Sequence, residues 1–306
     1  MLPLFLLLFV CIAVPLGCAW HLWRLDTPSM AGWLIACLAT VVGSILILLV
    51  SRWDIAGLGT RYLVAGLVLV AGLASLRRHM GRPWLVAGWT EVWHRHSASL
   101  ASLVLLGGAF VYVLMGMRSQ PAAHAMSFPL KGGRFVIGQG GNNSLLNYHH
   151  DHRAQRYASD ISAVNAAGFR ALSPLPRDLS DYAIFGASVT SPCRGTVIQS
   201  IDGLPDLIPP MRDRDNARGN HVAIACNGVR VELAHLKERS VAVRVGEQVS
   251  PGDRLGQVGN SGNTSEPHLH IHAVDLATGI GIPLVFDGIA PVRNTVFERG
   301  AMRFPS

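Results

Sequence analysis

Residues 259–274, GNSGNTSEPHLHIHAV, decide how the rest of the chain is read. Gly and Asn crowd the first half and Pro267 closes it, the composition of a turn-rich loop. From residue 268 the stretch alternates polar and apolar, the period-two pattern of a strand with one buried face. Side chains two apart on a strand lie about 6.5–7 Å from each other on one face, so His268, His270 and His272 project together while Leu269 and Ile271 enter a core. A single strand histidine is ordinarily structural. Two adjacent imidazoles on one face, after a loop with no packing purpose of its own, can serve a metal ion and its water.

Working outward, 194–203 (RGTVIQSIDG), 221–236 (HVAIACNGVRVELAHL) and 241–263 (VAVRVGEQVSPGDRLGQVGNSGN) also place β-branched residues at period two between Gly, Asn and Pro turn signals. Residues 250–256, SPGDRLG, read as a tight hairpin. A mostly β domain follows. Eight of the thirteen histidines lie beyond residue 148, as His149, His150 and His152, then His221 and His235, then the 268–272 group. Zinc takes about four ligands, and a hydrolytic site leaves one place for water, so two histidines and a carboxylate are a sufficient protein share. Asp160, in QRYASDI, offers the carboxylate. His221, at a strand start, reads as structural, and His272 as a group that orients His270 or His235 by hydrogen bonding. Tyr148 and Tyr157 read as buried packing, and Asn263, Thr264 and Ser265 as loop-shaping residues.

The other end of the chain obeys different rules. Of 306 residues half are hydrophobic and 15% charged, and the mean hydropathy is +0.33, too apolar for one water-soluble domain. The first 117 residues carry seven Arg and three acids, the rest 19 basic and 16 acidic side chains. Neither half has a dense Lys/Arg block despite the net +7, so a nucleic-acid partner is not expected. Apolar runs at about 2–20, 30–50, 62–76 and 99–117 predict four transmembrane helices, the first read as a membrane helix rather than a cleaved signal because no basic region precedes it. Five Arg (24, 77, 78, 82, 95) against two (52, 61) favour cytoplasmic odd-numbered connections, which places everything after residue 118 outside the cytoplasm. All seven Trp lie in this half and read as interfacial rings, and His21, His79, His94 and His96 as solvated groups. No span has an ionisable residue in its interior, so the helices read as an anchor or docking module in the lipid bilayer, open to a membrane partner. Cys193 and Cys226 fall at strand ends in the outer domain, where a disulfide can persist; a bridge and a free pair both remain open. The expected organisation is 1–117 membrane region, 118–130 linker and 131–306 outer domain.

The order NYHHDHRAQRYASDI (147–161), GNHVAIACNGVRVELAHL (219–236) and VGEQVSPGDRLGQVGNSGNTSEPHLHIHAV (245–274) resembles the lysostaphin-type, or LytM-type, zinc metallopeptidases over roughly residues 131–290. The resemblance implies a mainly antiparallel β fold of the duplicated-hybrid-motif type and an enzyme that cuts peptide bonds in bacterial cell walls with one Zn2+. Carried over by residue, His270 and Asp160 become zinc ligands and His268 and His235 catalytic histidines. The common family spacing H-x-x-x-D puts Arg156 where the first ligand should be, and Arg does not bind zinc. That role passes to His149, with His150 and His152 as alternatives. The implied protein is a multi-pass inner-membrane zinc endopeptidase facing the periplasm, acting on peptidoglycan peptides or on an envelope protein. The rival reading is a metal-free module of the same fold that activates other wall hydrolases. No HExxH motif or phosphate-binding loop is present, and 252–262 resembles a lipoyl-carrier hairpin without the carrier's Lys.

Overall fold

The computed structural model describes residues 2–300, so the last six residues of the expected 131–306 domain lie outside the described residues. The chain divides into two compact units, Met1–Met115 and Gly116–Ser306.

In the first unit the apolar runs become helices α1 (Phe5–Arg24), α2 (Met30–Val50), α3 (Leu58–His79) and α4 (Trp89–Gly116), each long and apolar enough to cross a membrane. Helices α3 and α4 overrun the apolar runs that predict them, because polar residues continue the helix at its ends. Arg61, Arg77 and Arg78 are thus helical. The Ser29 hydroxyl caps α2 by accepting from Gly32 N at 3.2 Å. Two sequence expectations change. His79 is buried, not solvated: its Nε2 accepts from Thr27 N at 3.1 Å, and its Nδ1 lies 2.7 Å from Ser75 O. Trp33 and Trp53 are buried packing residues, whereas Trp20, Trp23, Trp84, Trp89 and Trp93 are exposed as interfacial rings should be.

The second unit is built on a nine-stranded sheet among the described residues. Its strands are β1 (Arg134–Gln139), β2 (Ser159–Ala163), β3 (Gly195–Ile201), β4 (Asn220–Cys226), β5 (Val229–Leu236), β6 (Gln248–Val249), β7 (Leu269–Asp275), β8 (Gly281–Ile282) and β9 (Val296–Glu298). They run in the order β9-β1-β2-β7-β5-β4-β3-β6, with β8 paired to β7, and every pairing is antiparallel. Leu269, Ile271 and Ala273 of β7 join Ile161, Leu233, Val231, Val222 and Ile224 in one core cluster. Leu269 and Ile271 are fully buried, and truncating either to Ala would cost about 2–5 kcal/mol. The opposite faces of these strands carry Asp160, Glu232, His270 and His272 among small residues such as Ala223 and Ala234. Part of 118–130 is built into the unit: His124–Met126 pairs in parallel with Leu284–Phe286, and Met126, Phe128 and Leu130 are core residues. The 250–253 turn forms, with Gly252 at φ +92°, but not the expected hairpin: Gln248–Val249 pairs with 195–196 and Arg254–Gln257 with 188–190, so the two flanking segments part into different sheets. Cys193 and Cys226 are joined by a disulfide.

Candidate metal centre

Register brings the first two groups together. In the β7–β2 pair His270 stands opposite Asp160, and in the β7–β5 pair it stands opposite Ala234. His270 Nδ1 lies 2.8 Å from Asp160 Oδ1. The third group comes from a 3-10 turn, Tyr148–Asp151. His149 Nε2 lies 3.1 Å from both oxygens of Asp160. The ligand atoms of His149, Asp160 and His270 all lie within 4.8 Å of one another, and all three residues are buried.

Asn147 holds that turn in place. Its side-chain oxygen accepts from His149 N at 3.1 Å, and its Nδ2 faces Ala158 O at 3.0 Å, just before β2. The capping pattern was available in the sequence, since Asn is a favoured helix cap. It was hidden by the three histidines that follow. His150 is only half-buried and His152 is exposed, and neither joins the cluster.

Two further imidazoles border it. His268 Nε2 is 3.6 Å from Asp160 Oδ1. Its Nδ1 donates to Glu266 O at 2.9 Å, beside Thr264 Oγ1 at 3.1 Å, which turns Nε2 toward the carboxylate. Thr264 therefore does shape the loop, and the loop sets a tautomer. The His235 ring lies 4.9 Å from that of His268 and 5.9 Å from that of His270. Its Nδ1 donates to Ser261 O at 2.9 Å, which leaves Nε2 as the lone-pair nitrogen. His235 adopts φ +62°, a left-handed conformation at the end of β5. Ser261, which sequence reading passed over, also accepts from Asn220 N and donates to Leu236 O, tying β4 and β5 to the loop before β7.

Around this core, His272 Nδ1 sits 3.1 Å from His270 Nε2, so the ring that faces Asp160 with one nitrogen is held by its other. Arg170, almost fully buried, pairs with Glu266 at 2.9 Å and anchors the segment that pins His268. His221 donates from Nδ1 to Gly219 O at 2.7 Å and stands apart from the cluster, as a structural histidine should. Tyr148 is not buried: it is 57% exposed with its ring 4.0 Å from that of His149.

Burial would raise the Asp160 pKa, but His149, His268 and His270 outweigh it through charge and hydrogen bonds and hold the carboxyl well below its usual range. Burial pushes His235 and His272 far below the ordinary imidazole value, with neighbouring histidines adding to the effect. Burial also lowers His270, partly offset by its bond to Asp160. An ionised carboxylate beside a His270 ring whose pKa is lowered suits metal binding, which needs both ligands deprotonated. The donor set fits zinc: two imidazole nitrogens and one carboxylate oxygen, converging from a turn and two central strands.

Residues 180–278 match Peptidase family M23. The matched segment contains His235, His268 and His270, whereas His149 and Asp160 precede it. No curated protein matches the chain. Among solved structures, a zinc-containing peptidase from Vibrio cholerae shares 18% identity over 52% of this chain and 39% of its own, with a TM-score of 0.33. Csd3 from Helicobacter pylori shares 18% over 52% and 32%, with a TM-score of 0.30. The catalytic domain of lysostaphin, an antimicrobial peptidase from Staphylococcus simulans, shares 17% over 39% and 80%, with a TM-score of 0.22. The chain thus spans well under two thirds of the first two proteins. Within the Gly116–Ser306 unit, residues 180–278 are similar to peptidase family M23.

Proposed function

We propose that this protein is a zinc metalloendopeptidase of a bacterial inner membrane, anchored by its four helices, with its β unit in the periplasm. Its substrates are the peptides of peptidoglycan, with an envelope protein as the alternative target. The observation that carries the reading is the meeting of His149, Asp160 and His270 beside two further histidines.

In this reading His149 Nε2, Asp160 and His270 Nδ1 hold one Zn2+. The ion supplies Lewis acidity, which acidifies water toward neutral pKa and polarises a peptide carbonyl. The remaining chemistry belongs to the chain. Asp160 stays ionised, so the cage carries negative charge that favours a cation. His268 and His235 each have a proton fixed on Nδ1 by a backbone carbonyl, and each keeps Nε2 free to take a proton from the attacking water. The ring that has gained the proton can donate a hydrogen bond to the developing oxyanion and then return the proton to the leaving amine.

The test uses the full chain in detergent micelles, with zinc content and release of peptides from purified peptidoglycan as readouts. The native protein should hold about one zinc and cleave. His270→Ala and Asp160→Ala should lose the metal, and His268→Ala should keep it while turnover falls roughly 10²–10⁴-fold. Unchanged zinc content in both ligand variants would reject the cage. Zinc-free, inactive native protein would replace the reading with that of a regulatory module.

A further inference from the structure

The face of the sheet that carries His270 continues past the metal centre, and its composition changes there. Register sets out the next row across the strands: His272 of β7 stands opposite Glu232 of β5, Glu232 opposite Ala223 of β4, and Ala223 opposite Gln199 of β3. Glu232 is 2% exposed and its carboxylate takes one partner from outside the row, Arg218 Nη1 at 3.1 Å. The same Nη1 reaches Gln199 Oε1 at 3.1 Å. Arg218 is tied to the site through its backbone as well, since its carbonyl accepts from His235 N at 3.1 Å. One end of the guanidinium is therefore fixed by two side chains, while Nε and Nη2 make no hydrogen bond among the described residues and the side chain is 46% exposed.

A second cation stands on the same face. Arg230 lies two residues before Glu232 on β5, and its buried Nε has no hydrogen-bond partner among the described residues. The strip thus carries two arginines, one of them paired, and one buried carboxylate, an excess of positive charge. By strand geometry Glu232 stands two residues along and one strand across from His270, about 8 Å, and Arg230 four residues along, about 14 Å, together the reach of roughly two to four residues of extended peptide.

We propose that Arg218 and Arg230 form a carboxylate-binding subsite beside the metal centre, so that preferred substrates are peptides with a free carboxylate within about four residues of the scissile bond. This inference rests on the peptidase reading for its meaning, but not for its test. A guanidinium with an unoccupied edge presents paired donors to a carboxylate, and Glu232 and Gln199 pre-orient that edge. Glu232 acts as a positioning residue, and Ala223 leaves room above the row.

The experiment measures fluorescence anisotropy of two labelled peptidoglycan stem tetrapeptides, one with free carboxylates and one fully amidated, on the full chain in detergent with EDTA present so that no cleavage intervenes. The native protein should bind the free-carboxylate form at least tenfold more tightly, with the preference shrinking as salt rises. Arg230→Gln leaves the Arg218–Glu232 pair intact and should reduce the preference severalfold. Arg218→Gln alone strands a buried carboxylate, so the informative variant is Arg218→Gln with Glu232→Gln, which should abolish the preference and leave amidated-peptide binding unchanged. Equal binding of the two peptides by the native protein, or a preference that survives both variants, would overturn the subsite. Zinc-loaded native protein that fails to cleave, yet keeps the carboxylate preference, would sink the peptidase reading alone.

Discussion

Reducing the Cys193–Cys226 bond should loosen the β unit by an amount that its position in the chain sets. The two cysteines are 33 residues apart. Opening a loop of that length restores about 12–13 cal/mol/K of chain entropy to the unfolded state, or about 4 kcal/mol at 25 °C. That is nearly three powers of ten in an opening equilibrium and about 8–16 °C in Tm for a unit of this size. Every tryptophan lies in the first 117 residues, so indole fluorescence reports on the wrong unit. Hydrogen exchange read by mass spectrometry is the suitable assay, on the full chain with and without dithiothreitol. Amides of β4 and β7 should lose several hundredfold protection on reduction, and those of α2 and α3 should be unchanged. A Cys193→Ala, Cys226→Ala double variant should reproduce the loss and add a little for the hole left at the buried Cys226. Protection in β4 and β7 that moves less than tenfold would refute the argument.

Three further outcomes follow from contacts around the metal centre. His272→Leu removes the acceptor for His270 Nε2–H and should weaken zinc about 10–100-fold in a chelator competition, with His272→Asn recovering part of the loss. Asn147→Ala removes the cap of the His149 turn and should cost about 1–2 kcal/mol in thermal unfolding while also weakening zinc; a variant that unfolds earlier but binds zinc normally would show that the turn is not what positions His149. Arg170→Leu breaks the buried ion pair with Glu266 and should destabilise the unit by about 3–5 kcal/mol, measured by exchange in β7.

The strands of the β unit were legible because β-branched residues alternate between turn residues, and β7 stood out most because histidines fill alternate positions from 268 to 272. Asp160 and His270 could be paired from a family resemblance, but their register is a tertiary fact. It depends on Leu269 and Ile161 sharing one core, which no local pattern specifies. His149 was distinguishable from His150 and His152 only once the Asn147 cap fixed the phase of the 3-10 turn, because rotation about a short turn separates neighbours that look equivalent in sequence. His79 was misread for a related reason: a histidine at the polar end of an apolar run looks solvated until Thr27 and Ser75 satisfy both ring nitrogens. Arg170, Ser261 and Arg218 carried no recognisable signal, since each acts through partners more than 30 residues away or through backbone atoms any residue would offer, save Arg218, whose partners are nearer but lie on neighbouring strands.

The left-handed backbone at His235 sets two pressures on that position against each other. A residue with a Cβ is held there about 1 kcal/mol less comfortably than glycine would be, yet glycine would remove the imidazole beside His268. A library of variants sorted for heat resistance alone should drift toward glycine at 235, and one sorted for turnover should keep histidine. The identity found at this single position would then record whether durability or chemistry had governed the selection.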